Sequence, residues 1–451
     1  MNTLPTSTRT SSRFRLTVLC IGGALLTYMS MYAFRKPLSA ATFEGISYWG
    51  IDYKVIALIS QVVGYTGSKF LGIKVVSELR PAQRIRYILG LIGVAWAALL
   101  GFALVPHPYN LPFLVVNGLP LGMIFGIVIS FLEGRRNTEL LGAGLCISFI
   151  TASGITKAVG KFLVVHFHVS EFWMPFAVGG IFVPLLLLGV SLLHRIPAPS
   201  EADKALRHER APMDGAERRR FFRTFGLGVL LSTVVYSTLT VFRDLRDNFA
   251  VELWKQLGYA NDSSILATSE ICVAVLVLSL VASMIKVTDN RTAFYGNIGI
   301  FIFSGGVLLT TTYLFAHAQL APAVWMIASG FGLYLCYICF HTMFFERWIA
   351  LFRYRGSIAF LICVSDSFGY LGSVGVLLTK SFLAREVNWL TFITYAAYAT
   401  GALIVGLSVL MYFYFRQKEL RYFPHAGRGS ARPQACPAPA VQDAQPTAGP
   451  R

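Results

Sequence analysis

The chain has 451 residues, 55% hydrophobic and only 14% charged, with a mean hydropathy of +0.60 and a formal net charge of +17. That composition leaves too little polar surface for an ordinary soluble enzyme or binding module and indicates a polytopic membrane protein in contact with the lipid bilayer. The positive charge does not indicate nucleic acid, because it is concentrated in the termini and alternate loops.

Apolar runs long enough to cross a hydrocarbon core of about 30 Å recur twelve times. The first runs from Leu16 to Phe34 and is too long for a signal-peptide core; no A-x-A-like cleavage site follows it, so it is expected to be kept as a spanning helix. Five more follow at about Val55–Val76, Tyr87–Val105, Pro112–Leu132, Leu140–Val165 and Phe172–Leu193. Hydrophobicity then collapses from His194 to Arg223, a segment rich in Arg, Glu, Ala and Pro that no bilayer-spanning helix tolerates. Six further runs lie at about Thr224–Phe242, Ser263–Ile285, Thr292–Phe315, Pro322–Phe345, Gly356–Thr379 and Leu390–Phe415. A Pro/Ala-rich tail ends the chain and is expected to be disordered.

The predicted fold class is an all-α membrane protein with twelve transmembrane helices in two pseudo-symmetric six-helix bundles. The bundles are expected over residues 1–193 and 224–415, with a cytoplasmic basic linker at 194–223 and a cytoplasmic tail at 416–451. Of the 39 Lys and Arg, 27 fall in the N-terminus, the even-numbered loops and the C-terminus. Only Lys54, Lys255, Lys380 and Arg385 fall in the opposite loops. Lys and Arg concentrate on the cytoplasmic side, which predicts cytoplasmic termini. A bacterial inner membrane is the expected location and a monomer the expected state.

Eight cations are associated with the helices. Lys36, Lys74, Lys161 and Arg246 lie near helix ends, where long stems can carry the charge to water. Arg35, Lys69, Lys157 and Arg243 are deeper. A buried Arg costs about 2.5–3.5 kcal/mol or more at the bilayer centre, so such residues face cavities. The deep anions are Glu270 and Asp366, with Asp244 and Asp247 just past Arg243. An excess of cations in a low-dielectric cleft attracts an anion, and two guanidiniums suit a bidentate oxyanion clamp. The bland alternative is that Arg35 or Arg243 pairs with Glu270 or Asp366 to hold helices together. Tyr28, Tyr32, Tyr65, Tyr334 and Tyr370 lie within spans rather than at their ends, as packed residues or as hydroxyl donors and a wall for a ligand. His341 reads as packing, with a proton-relay role as the alternative.

An internal repeat supports the two-half reading. Tyr28, Phe34 and Arg35 match Tyr236, Phe242 and Arg243 as Y-x5-F-R, at the ends of the first and seventh spans. Gly64, Gly67 and Gly72, and Gly369, Gly372 and Gly375, mark close helix approach. The Cys336-x-x-Cys339 pair lies in an apolar run and reads as small hydrophobes. No metal-ligand cluster, phosphate loop, nucleophile elbow or dinucleotide fingerprint is present, so no cofactor, metal or enzyme activity is expected.

Tyr28-x3-Tyr32-x2-Arg35-Lys36, Tyr65-x2-Ser68-Lys69-Phe70, Arg243, Glu270, Tyr334 and Phe368-Gly369-Tyr370-Leu371-Gly372 together resemble the major facilitator superfamily. Within it they are most similar to the organophosphate:phosphate antiporters. The resemblance spans about 13–421 and implies a fold of two rocking bundles, phosphate bound by Arg35 and Arg243, and a pathway lysine at Lys69. Two departures stand out. The loop after the second span, with Glu78, Arg80 and Arg84, only approximates the superfamily's Asp-Arg pattern, and no histidine stands near 151–153 in the fifth span, where Lys157 and Lys161 follow instead.

The expected function is secondary active transport of an anionic, phosphorylated organic solute by alternating access, in exchange for phosphate. The substrate-binding set is Arg35, Arg243, Lys69, Tyr28, Tyr32, Tyr65, Lys157, Tyr334 and Tyr370. Two alternatives stay open: proton-coupled anion symport, with Glu270 or Asp366 as coupling carboxylate, and an anion sensor without net flux.

Overall fold

The computed structural model describes residues 6–132, 138–197, 215–260, 262–352, 358–382 and 388–422. Twelve long helices make up this part: α1 (Thr6–Ala33), α2 (Tyr53–Glu78), α3 (Arg84–Leu104), α4 (Leu111–Leu132), α5 (Thr138–Phe167) and α6 (Met174–His194), then α7 (Gly215–Asn248), α8 (Ile265–Ile285), α9 (Asn290–Ala316), α10 (Pro322–Leu351), α11 (Ile358–Phe382) and α12 (Trp389–Tyr422). Over the described residues α3, α4, α6, α7, α8, α9, α10 and α12 are long and apolar enough to cross a membrane. Several ends differ from expectation: α1 begins at Thr6, before Leu16; α7 runs from Gly215, inside the basic linker, to Asn248, past Phe242; and α12 runs on to Tyr422, past Phe415. Residues 198–214 of the linker and 423–451 of the tail lie outside the described residues.

Local chemistry sets the interruptions. Pro37 brings no backbone N–H and ends α1 early; the amides of Phe34 and Arg35 instead reach back three residues, to Met31 and Tyr32, and a short 3-10 turn follows at Lys36–Ala40. Between α1 and α2 a small hairpin pairs β1 (Ser47–Tyr48) with β2 (Ile51–Asp52). Its two-residue loop is Trp49-Gly50, both at positive φ (53° and 75°), as the tight turn that matches strand twist requires. Inside α10 a π-helical turn occupies Phe340–Phe344, and after α7 a short helix covers Ala250–Gln256.

The packing repeats itself. In the first half α1 lies against α4, α5 and α6, while α4 lies against α2 and α3. The same pattern, shifted by six, sets α7 against α10, α11 and α12, and α10 against α8 and α9. The halves meet where α5 packs on α8 and α2 on α11, two contacts that the same shift exchanges. Small residues permit the closest approaches: a Cβ on Gly118 would sit 2.2 Å from the Gln61 carbonyl oxygen, and one on Gly154 would sit 2.5 Å from that of Leu266. Asn117 fastens the first half by donating to the Phe34 and Ala95 carbonyls (3.1 and 2.9 Å) and accepting from Gln61 (2.8 Å), which fixes the end of α1 beside Arg35.

Candidate functional site

Arg35 sits in the tightened turn that ends α1, where Pro37 and Asn117 fix the backbone. Its guanidinium carbon lies 3.7 Å from the centre of the Tyr65 ring, a cation–π stack between α1 and α2. Tyr65 in turn meets Tyr370 of α11, ring centres 5.3 Å apart, and Tyr28 meets Tyr32 at 5.4 Å. Arg35 is only 8% exposed, and its side chain makes no hydrogen bond and no ion pair among the described residues. Tyr28, Tyr32, Tyr65 and Tyr370 thus form an aromatic wall around one buried cation.

Arg243 stands at the repeat-related place on α7 but carries its counter-ion beside it. Its Nη2 and Nε donate to Asp244 Oδ1 at 2.9 and 3.2 Å, and Ser373 donates to the other carboxylate oxygen at 2.9 Å. The guanidinium also lies over the Tyr337 ring at 4.6 Å and donates to its hydroxyl. Tyr370 and Asp244 lie within the electrostatic reach of both arginines, so Arg35 and Arg243 share one region. Among the described residues Glu270 takes Arg246 and Arg243 takes Asp244.

A chain of hydroxyls leads away from Arg243. Tyr337 meets the Tyr236 hydroxyl at 3.1 Å, and Tyr236 is 2.6 Å from His341 Nε2 and donates to Asp366. His341 is therefore more than packing: the π-helical turn of α10 carries it to a polar junction of α7, α10 and α11.

Three charges expected to reach water from helix ends are held inside instead. Lys36 is ion-paired with Asp247, which also takes Lys157 at 2.6 Å and the Ser153 hydroxyl at 2.5 Å. Arg246 pairs with Glu270 at 2.7 Å and donates to the Met326 carbonyl at 3.0 Å, with Tyr334 centred 6.0 Å away. Lys161 donates to the Ala260 carbonyl at 2.6 Å. The physical reason is that the stems meet buried acceptors before they reach solvent, on the opposite half for Lys36 and Lys161 and on α8 and α10 of its own half for Arg246. Lys157 serves Asp247, and Tyr334 and Glu270 gather around Arg246 rather than Arg243. The Lys69 and Lys74 side chains lie outside the described residues.

Further pairs close the same end of the molecule. Lys54 meets Glu252 at 2.5 Å and the Ser39 carbonyl at 2.8 Å, and at the surface Lys255 meets Glu44 at 2.7 Å. Each of these ion pairs joins one half to the other. Sequence reasoning missed Asp247 as their hub and missed the Tyr236–His341–Asp366 junction. The available signal was that Asp247 lies a helical turn beyond Arg243, and that Tyr236 repeats Tyr28.

The chain matches solved structures of one architecture. A D-xylose-proton symporter aligns with a TM-score of 0.57 at 14% identity, over 88% of this chain and 97% of that one. The POT family transporter PepTSo aligns at 0.57 and 13% identity, covering 90% and 99%. A proton:xylose symporter of the major facilitator superfamily, bound to 6-bromo-6-deoxy-D-glucose, aligns at 0.56 and 14%, covering 90% and 96%. Such likeness shows the fold, one shared with a symporter of the major facilitator superfamily; the eight described helices long and apolar enough to cross a membrane make the chain a multi-pass membrane protein. No curated protein sequence matches the chain. A family model does, over residues 37–418, and the chain therefore belongs to that family, the family of unknown function DUF5690.

Proposed function

We propose that the chain is a secondary active transporter, not an enzyme, that carries an anionic organic solute by alternating access between its two bundles. The observation that carries this reading is Arg35: a buried guanidinium stacked on Tyr65, without a carboxylate partner among the described residues. A cation desolvated in that way is stabilised by an incoming anion, and the four tyrosines supply the surrounding wall. Arg243 is the second arm of the clamp, with Asp244 as a resident anion that a solute displaces. The solved transporters of the same fold support the transport class, though two of them are xylose symporters rather than anion carriers.

The finer reading is a phosphorylated solute exchanged for inorganic phosphate, supported by the paired guanidiniums and the family resemblance of the first, second and eleventh helices. The bundles would comprise residues 1–193 and 224–415, joined by the basic segment 194–223. Both termini would lie in the cytoplasm of a bacterial inner membrane, by the distribution of Lys and Arg. Uptake of glycerol phosphate and hexose phosphate into proteoliposomes, with and without phosphate inside, tests this directly. Uptake that requires internal phosphate and disappears in Arg35→Lys is the expected result; no uptake of any phosphorylated compound rejects the cargo.

A further inference from the structure

We propose that Asp366, Tyr236 and His341 form a proton-binding site linked through Tyr337 to Arg243. Tyr236 has one O–H, and its oxygen faces three partners: Asp366, His341 Nε2 at 2.6 Å and the Tyr337 hydroxyl at 3.1 Å. That one hydrogen has two acceptors in reach, the Asp366 carboxylate and the Tyr337 oxygen, and the Tyr337 oxygen also accepts from Arg243. Arg243, the two phenols and Asp366 thus form one connected chain.

The junction has a second arrangement that also satisfies its members. With a proton on Asp366, the acid donates to Tyr236, and the Tyr236 hydroxyl turns to His341 Nε2. The two arrangements differ by one proton taken from water, and no bond other than an O–H or N–H changes. His341 is half-buried while Asp366 is buried, which gives the junction one end nearer solvent. A π-helical turn holds His341 here, a departure from regular helix that often marks a functional position.

Among the described residues, titratable and charged groups near α11 include Tyr236, Arg243 and Asp244 of α7; Tyr337 and His341 of α10; Tyr28, Tyr32 and Arg35 of α1 and Tyr65 of α2, toward Tyr370; and Asp52 of the hairpin, toward Lys380 at the far end. A solute anion that draws Arg243 away would remove the donor at the head of the chain and favour the protonated arrangement. That last link rests on the function proposed above; the proton site and its link to Arg243 do not.

Infrared titration of the purified full-length protein between about pH 5 and 9 reads the carboxyl directly. The expected result is a protonated-carboxyl band that titrates in the native protein and is absent in Asp366→Asn. Its midpoint should move in Tyr236→Phe and His341→Gln, and should rise by about half a unit or more in Arg243→Gln, since loss of a nearby cation disfavours a carboxylate. No Asp366-dependent band, or a midpoint indifferent to Tyr236→Phe and Arg243→Gln, overturns the proposal. Tyr236→Phe keeps the ring and its packing, so its effect reports the hydroxyl and not the fold. These titrations need no solute, so a failure of the anion reading, seen as no stabilisation by any phosphorylated compound, is told apart from a failure here.

Discussion

At the scale of single residues, the two arginines of the repeat differ in their C-terminal neighbours. Arg35 is followed by Lys36 and Arg243 by Asp244, so the same position carries opposite charge in the two halves. Asp244 neutralises Arg243, while Lys36 turns away to Asp247, and Arg35 is the cation proposed to answer a ligand. Arg35→Ala should abolish thermal stabilisation by the cargo anion, since a charge-assisted hydrogen bond of this kind contributes about 1.5–3 kcal/mol, roughly tenfold to hundredfold in affinity. Asp244→Asn should do the reverse and tighten anion binding by about tenfold, because the solute no longer competes with a resident carboxylate. Thermal-shift titrations of both variants with inorganic phosphate check the pair, and unchanged or weaker stabilisation in Asp244→Asn would count against displacement. Arg35 and Arg243 could be read from the sequence because an intramembrane arginine announces itself by local composition. Asp247 could not, since its lysine partners stand 90 and more positions away and only the fold brings them to one carboxylate.

At the scale of helices, the twelve apolar runs were legible because hydrophobic thickness sets their length, and their order in space follows from a packing pattern used twice. Their ends were less legible. α7 enters from a charged segment, Gly215 to Arg223, that no hydropathy window joins to the span, yet its backbone is helical there. The π-turn in α10 is likewise invisible to periodicity, since one extra residue shifts a pattern that is apolar on all sides. Caps are read more easily: Asp289 precedes α9 and accepts from the Thr292 amide at 2.8 Å and hydroxyl at 2.6 Å. Those bonds hold its carboxyl below the usual carboxylate range. Asp289→Ala should therefore destabilise α9 by about 1 kcal/mol at neutral pH. A depressed carboxyl contributes above its unfolded value near pH 3.9 and loses that contribution as the folded group protonates. Thermal melts of native and variant protein should differ at pH 7 and converge in stronger acid; a gap that persists there would assign the loss to something other than the cap.

At the scale of the whole molecule, one end is sealed by ion pairs that cross between the halves: Lys36 and Lys157 to Asp247, Lys54 to Glu252, and Lys255 to Glu44. The alternating access proposed above would require each of them to part. Removing one member of a buried pair leaves the other uncompensated, at a cost of about 3–5 kcal/mol, so Asp247→Asn should disfavour the sealed state strongly. Spin labels replacing Glu44 and Lys255, whose charged groups are 2.7 Å apart when sealed, should report a longer distance in that variant. An unchanged distance would show that Asp247 is not the latch. The latch also has an imbalance, since two lysines share one carboxylate and leave one positive charge over. A membrane potential acts on any such surplus, at about 2.3 kcal/mol per elementary charge for each 100 mV fully crossed. Opening and sealing therefore carry a voltage dependence in proportion to the depth through which those two lysines travel, whatever the charge of the cargo.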